Sequence, residues 1–421
     1  MAAPHRISSV TVTPVAFRDP PLLNNVGVHE PYAIRAVVQV HTDQGLTGLG
    51  ETYADAAHLD RVRQVADRVV GLDVWDVHAL ERTVRSTLEG EAGHDSGGTG
   101  GMISTGIADR VLSPFEVALL DLQGRETGRP VSALLGGAVR DRVDYSAYLF
   151  YKWDAHPGGE ADAWGAALDP AGIVAQARTM IDDYGFTAIK LKGGVFEPDA
   201  EIAAIRALAD EFPGLPLRLD PNAAWSVSTS VRVGRELGDT LEYLEDPAKG
   251  IPAMAEVATQ VPQPLATNMC VVAFDHLEPG LRQNAVGVIL SDHHYWGGLR
   301  RSASLARIAG TFGIGLSMHS NSHLGISLAA MTHLAAATPE VTYACDTHWP
   351  WKDPAEDVIV DGVFSFEKGA LTVPITPGLG VELDADRLGA LHEQYLRCGI
   401  RNRNDTGYMQ SIVPGFEVPT W

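Results

Sequence analysis

No stretch of this sequence reaches the ~18 consecutive apolar residues that a membrane helix needs, so no membrane partner is expected. The opening residues MAAPHRISSV contain no long apolar core, and no secretory signal is read there. Cysteine is scarce. Cys270, Cys345 and Cys398 stand far apart, an odd number without paired metal-type spacing, which argues against a disulfide framework. Together these absences point to a cytoplasmic protein. The Asn404-Asp405-Thr406 sequon is then read as chance. Positive charge is also in short supply: 32 Lys and Arg face 53 Asp and Glu, a net charge of −21. Such a chain repels nucleic acid and anionic lipid. It should also repel an anionic small molecule, unless cations gather locally.

What is present fits a globular protein with a real core, at 45% hydrophobic and 20% charged residues. The 421 residues exceed one typical domain, and two are expected. They are a first domain at 1–135, a second at 136–384, and a tail at 385–421 that returns to the first. In the first, AIRAVVQVHT (33–42) alternates with Ile34, Ala36, Val38 and Val40 on one face. Asp43-Gln44-Gly45 turns the chain and LTGLGE returns, a hairpin signal. Residues 61–90 are polar and helix-friendly. Residues 91–102, EAGHDSGGTGGM, hold five glycines but no GK[ST], so a lid or plain surface loop is expected rather than a phosphate cradle.

From about residue 140, short β-type runs alternate with longer helical ones: YSAYLF, AIKLK, LPLRLD, LEYLED, PLATN, VGVILSD, IGLSMH and TYACDTH. Alternation of this kind signals a parallel sheet built of βα units, and this many units suggest a closed barrel. A doubly wound open sheet is the alternative, weakened by the missing Gly-x-Gly fingerprint in the first βα turn. Polar residues end nearly every run. Lys190 with Lys192, then Asp220, Glu245, Asn268, Asp292, His319 and His348 follow one another at intervals of 23–30 residues. One βα unit has about that length, so the set would share one rim of a barrel, where barrel enzymes carry their sites.

Asp220, Glu245 and Asn268 end three successive runs. Neighbouring strands lie ~4.8 Å apart, so three oxygen side chains can converge on one cation. All-oxygen ligation suits a hard ion, Mg²⁺ before Mn²⁺ or Ca²⁺. The plainer reading, acids at solvated strand ends before Pro221 and Pro247, suits each residue alone better than the three in register. Lys190 and Lys192 point the same way from one strand. Burial lowers a lysine's pKa, which is how it becomes a base. Asp292 and His319 end adjacent runs, and a carboxylate beside an imidazole fixes its tautomer and raises its basicity. His319 and His323 lie four apart, but Ser320 stands where a zinc helix of the HExxH kind needs Glu, so zinc is rejected.

A Lys-x-Lys strand, then Asp, Glu and Asn, then an Asp/His pair resembles the enolase superfamily. The words AIKLKGGV, LDPNAAW, YLEDP, PLATNM, SMHSNSHLGISLAAMTH, CDTHW and PGLGVELD are similar to its glucarate dehydratase group, and the likeness spans nearly the whole chain. The resemblance implies an α+β capping domain plus a TIM-type (β/α)7β barrel. It implies Mg²⁺ on Asp220, Glu245 and Asn268. It implies Lys192 as base on one face of the substrate, with Lys190 on the carboxylate. His319, oriented by Asp292, is then the acid/base on the other face. His29, Tyr148, Asn222, Asn268, Ser320, Asn321, His348 and Arg403 match substrate-contacting positions, and Thr105 matches one more loosely. Some members carry a further acid after Glu-Asp-Pro. Here AKGIPAMAEV has none before Glu256, which leaves Glu245 as the candidate second ligand. The implied reaction removes the proton α to a carboxylate of a hexarate, glucarate or idarate, and eliminates the β-hydroxyl as water, yielding a keto-deoxy-glucarate. The lysines, Arg403 and histidines would make the site locally cationic. The expected partners are the acid-sugar substrate and further copies of the chain in a homo-oligomer. Dehydration of another acid sugar, a Schiff-base aldolase using Lys192 and an inactive acid-sugar-binding paralogue are the alternatives.

Overall fold

The computed structural model describes residues 5–91, 94–95 and 105–421. The glycine-rich segment 91–102 lies outside these apart from Glu91, His94 and Asp95. The first region is an antiparallel three-stranded sheet with Tyr32–Thr42 at its centre, flanked by Ile7–Arg18 and Thr47–Tyr53. The hairpin turn is made by Gly45, whose φ of +80° suits a residue without Cβ; its N–H donates to the Thr42 carbonyl at 3.1 Å. Helices Ala56–Arg68 and Ile107–Thr127 pack on the sheet, and Val77–Thr87 packs on those two helices. Helix Ile107–Thr127 lies almost on the strand backbone, since a Cβ on Gly50 would stand 2.0 Å from the Pro114 carbonyl oxygen.

The alternation in residues 33–42 predicts one buried face, yet both are buried: Val37 and Val38 are each fully covered. The reason is the barrel: Val37 joins the core cluster of the barrel strands, and Arg35 on the same face reaches His294 and Ser327, while the tail covers the face of Ile34 and Ala36. Helix Ala385–Cys398 lies on strand Ile7–Arg18, where the His392 ring donates to the Pro14 carbonyl at 2.7 Å and Gln394 to the Ala16 carbonyl at 3.0 Å. Its Tyr395 packs with Ile34 and Ala36. The final helix, Asp405–Ile412, is tied to the first region by Thr406 Oγ1 donating to the Val26 carbonyl at 2.7 Å.

The second region is a TIM-type barrel. Seven parallel strands run in chain order: Ala147–Phe150, Ile189–Lys192, Leu217–Asp220, Leu241–Glu245, Leu265–Thr267, Val288–Ser291 and Gly315–Met318. The expected open-sheet alternative is thereby set aside. Helices cover the outside, with boundaries set locally. Asp169 caps Pro170–Tyr184 by accepting from the Gly172 N–H at 2.8 Å, and left-handed Gly185 ends it. The eighth run, TYACDTH, is expected as a strand but forms no continuous ladder. The two barrel edges are bridged only at single points, Leu316 with Val341 just before the run and Tyr145 with Cys345 within it. The N–H groups of Thr342 and Tyr343 both donate to the Leu316 carbonyl, so the register is spent on one acceptor and the pairing is irregular. The segment still closes the ring: Asp346 N–H donates to Met318 at 2.8 Å on one side, and Cys345 N–H to Asp144 at 2.8 Å on the other. Among the described residues no helix is long and apolar enough to cross a membrane.

Candidate active site

The strand-end residues meet at one mouth of the barrel, beneath the first region and the tail. His29, Tyr148, Lys192, Asn222, Asn268, His319, Asn321, His348 and Arg403 line a single cleft holding about 540 Å³ of space outside the protein atoms, part of it open to solvent. Lys190, Asp220, Glu245, Asp292 and Ser320 are buried in its walls. His29 and Arg403 reach it from the first region and the tail. The side chain of Thr105 lies outside the described residues.

On one side, Lys192 Nζ donates to Asp220 Oδ2 at 2.7 Å and to Asn222 Oδ1 at 2.9 Å. Asn222 stands at φ +57°, an uncommon conformation that asparagine tolerates, and its N–H donates to Asp220 Oδ1 at 3.0 Å. Its amide also donates to Asn25 at 2.8 Å, a link to the first region. Lys190 Nζ lies 2.7 Å from Asp346, 2.6 Å from Glu245 and 3.5 Å from Asp220, over the Tyr148 ring at 4.5 Å. The expectation that burial lowers the pKa of the strand's lysines is overturned for Lys190. Burial does disfavour its charge, but Asp346 and Glu245 outweigh this and push the ammonium well above its ordinary value. Lys190 is a standing cation rather than a base.

On the other side, His319 Nδ1 lies 3.1 Å from Asp292 Oδ2. Burial alone would raise the Asp292 carboxyl, but His294 and His319 hold it well below the usual range. Asn321 donates to the hydroxyls of Tyr53 and Tyr295, both at 3.0 Å. Ser320 Oγ accepts from the His348 N–H at 3.2 Å, and its hydroxyl also lies 3.2 Å from His348 Nδ1. Burial, with neighbouring His29 and His323, pushes His348 well below its ordinary pKa, so it stays neutral. At the far end, Arg403 is held by Asp405 through Nε at 3.1 Å and Nη2 at 3.0 Å, and lies 3.5 Å from Asp19. Asp19 also meets His29 Nδ1 at 3.1 Å.

These contacts correct the expectation of a locally cationic site. Lys190, Lys192 and Arg403 face Asp19, Asp220, Glu245, Asp292, Asp346 and Asp405, so acids outnumber fixed cations. Sequence reasoning missed Asp346, Asp19, Asp405, His294 and Asn25. Asp346 carried a usable signal, since it sits two residues before His348 in the same run and so points to the same side of it.

The surplus of acid suits a divalent cation. Glu245 Oε1 and Oε2 and Asn268 Oδ1 are buried without a hydrogen-bond partner, although Lys190 lies close to Glu245 out of hydrogen-bond alignment. Burial, and then the Asp220 charge, push the Glu245 carboxyl well above its ordinary value. Buried oxygens left unpaired beside a second carboxylate fit a hard ion, and Asp220, Glu245 and Asn268 could hold Mg²⁺.

Residues 7–136 match the model of the mandelate racemase / muconate lactonizing enzyme N-terminal domain, and residues 172–387 that of the enolase C-terminal domain-like family. A Streptomyces coelicolor protein named a probable glucarate dehydratase is 53% identical, over 99% of both chains. A solved enolase of Mycobacterium smegmatis, complexed with formate and acetate, superposes with a TM-score of 0.98 at 65% identity over 100% of this chain and 99% of its own. An enolase of Pseudomonas fluorescens with bound magnesium, potassium and tartrate gives 0.95 at 48% identity, over 99% of both chains.

Proposed function

The chain belongs to the enolase superfamily, and from that premise we propose that it dehydrates a hexarate acid sugar, glucarate or idarate, to a keto-deoxy-glucarate with Mg²⁺ as cofactor. The observation that carries this is the placement of Lys192 and His319: they belong to non-neighbouring strands yet open into one cleft that Asn268 also lines, and the strand before Asn268 lies between theirs in the sheet. The relative named a probable glucarate dehydratase, and the tartrate in the Pseudomonas fluorescens structure, support a hydroxy-diacid as the substrate class.

A carbon acid beside a carboxylate is far too weak for a free amine to deprotonate. A Mg²⁺ ion on Asp220, Glu245 and Asn268 would offset the charge that develops on the carboxylate oxygens. Lys190, a standing cation, adds to that from the barrel wall. Lys192 takes the α-proton at Nζ from one face. His319, whose Nδ1 is committed to Asp292, presents Nε2 to the other face; protonated, it gives a proton to the β-hydroxyl, which leaves as water. His29, Asn222 and Arg403 would orient the hydroxyls and the distal carboxylate.

The test is solvent deuterium exchange into the two C5 epimers. Lys192→Ala should block exchange from one epimer and His319→Asn from the other. Exchange of both epimers at the native rate in either variant would remove the two-face assignment.

A further inference from the structure

Asp292 has two oxygens, and only one serves His319. Its Oδ2 accepts from His319 Nδ1 at 3.1 Å. Its Oδ1 accepts from the His294 backbone N–H at 2.9 Å and lies 2.7 Å from His294 Nδ1. The other ring nitrogen of His294, Nε2, lies 2.9 Å from Arg35 Nη2 and 3.0 Å from Ser327 Oγ. A guanidinium donates and never accepts. His294 Nε2 must therefore carry the lone pair, so the ring proton sits on Nδ1 and points at Asp292. Arg35 cannot turn away, because its Nε donates to Glu51 Oε1 at 2.8 Å. Glu51 is fixed in turn by the Leu324 and Ser327 backbone N–H groups, at 2.9 and 2.8 Å. Arg35 and Glu51 stand on two strands of the first region, and the other members belong to the barrel.

We propose that His294 is a positioning residue: held as the neutral Nδ1–H tautomer by Arg35, it occupies Asp292 Oδ1 and leaves only Oδ2 for His319, which fixes His319 with its proton on Nδ1 and its Nε2 lone pair in the cleft. The first region thereby sets the protonation geometry of an acid/base in the barrel through three hydrogen bonds, Arg35 to His294, His294 to Asp292 and His319 to Asp292. No proton travels along this chain. When His319 Nε2 gains a proton it becomes imidazolium, Asp292 remains a carboxylate, and His294 remains neutral. Burial and the Arg35 charge both act to keep it so. The inference rests on the reading of His319 as the acid/base of the proposed reaction. It separates from that reading because the tautomer can be measured without turnover.

The first measurement is histidine ¹⁵N NMR on the full-length, Mg²⁺-loaded protein, with His294 assigned by its loss in His294→Asn. The expected result is a neutral Nδ1–H ring for His294. An Nε2–H ring or an imidazolium would overturn the proposal. The second is epimer-resolved deuterium exchange in His294→Phe and His294→Asn. The Phe variant should lose on the order of 10–100-fold on the His319 face while the Lys192 face holds within about twofold. The Asn variant, which keeps an N–H near the Nδ1 position, should recover part of the loss. Equal loss on both faces, or none on the His319 face, would overturn the positioning role. If the Phe variant does not fold, the Asn variant and the native tautomer carry the decision. If the native protein exchanges neither epimer, the reaction assignment fails and the His294 tautomer still decides this inference.

Discussion

Arg403 spends most of its guanidinium on the protein. Asp405 takes Nε and Nη2, and Asp19 lies within reach of Nη1. It therefore offers a distal carboxylate its remaining N–H groups rather than an uncompensated charge. A charge-assisted contact of that kind is worth ~1.5–3 kcal/mol; with two acids already drawing on it, the lower figure applies, roughly tenfold in binding. Arg403→Ala should lower kcat/KM for glucarate against gluconate by that factor, and equal native values for the two would overturn the diacid assignment. Asp220 is easier to test without turnover. Asp220→Asn keeps the shape of the strand end but removes a charged ligand, so addition of Mg²⁺ should raise the native melting temperature and leave the variant's unchanged. An equal Mg²⁺ shift in both would take Asp220 out of the ion site. The residues in these arguments divide by legibility. Asp220 could be read because it repeats a strand-end position at a βα interval. Asp346 could be placed near the site by its run, but its partner could not be read, and Asp405 could not be read at all. The contact between Lys190 and Asp346 spans 156 residues, and Asp405 shows only a sequon pattern.

Elements were legible where the pattern is local. The hairpin follows from alternation and Asp43-Gln44-Gly45, and seven strands from apolar runs between helical stretches. The eighth run has equally good composition, yet its pairing depends on both barrel edges, which no window of sequence contains. Contacts between elements were also hidden, and one has a measurable consequence. Glu116, on the buried helix Ile107–Thr127, reaches the start of the barrel helix Leu299–Thr311, accepting from the Leu299 N–H at 2.8 Å and the Arg300 N–H at 3.3 Å. Burial outweighs these bonds and pushes its carboxyl up to about 7. A carboxyl whose folded pKa lies above its unfolded value binds more protons folded than unfolded between the two. Its contribution to stability is therefore greatest below the unfolded pKa and is lost as pH rises through about 7. The span corresponds to roughly 3 kcal/mol at most. Glu116→Gln removes this dependence. Urea unfolding at about pH 5 and about pH 8 should show the native protein losing stability relative to the variant, while parallel profiles would show that Glu116 does not titrate in this range.

At the scale of the whole molecule, the acidic balance and the proposed anionic substrate stand in tension, and the local site does not relieve it. Among the described residues, the fixed cations Lys190, Lys192 and Arg403 at the cleft are each paired with an acid: Lys190 with Asp346, Lys192 with Asp220, and Arg403 with Asp405. What could offset the surplus is the divalent ion, a single short-range centre. The net charge of −21 acts over a longer range. The Debye length decides between them: it is ~30 Å at 0.01 M ionic strength and ~8 Å at 0.15 M. At low salt an approaching dianion meets the whole molecule, whereas at physiological salt it meets only the cleft. Raising ionic strength with a monovalent salt at fixed Mg²⁺ should therefore raise kcat/KM for a hexarate, raise it less for a singly charged aldonate, and leave kcat nearly unchanged, since the bound complex is shielded by burial. A kcat/KM that falls with salt would mean that the ion and lysines dominate the long-range field, and the acidic surface would then play no part in substrate capture.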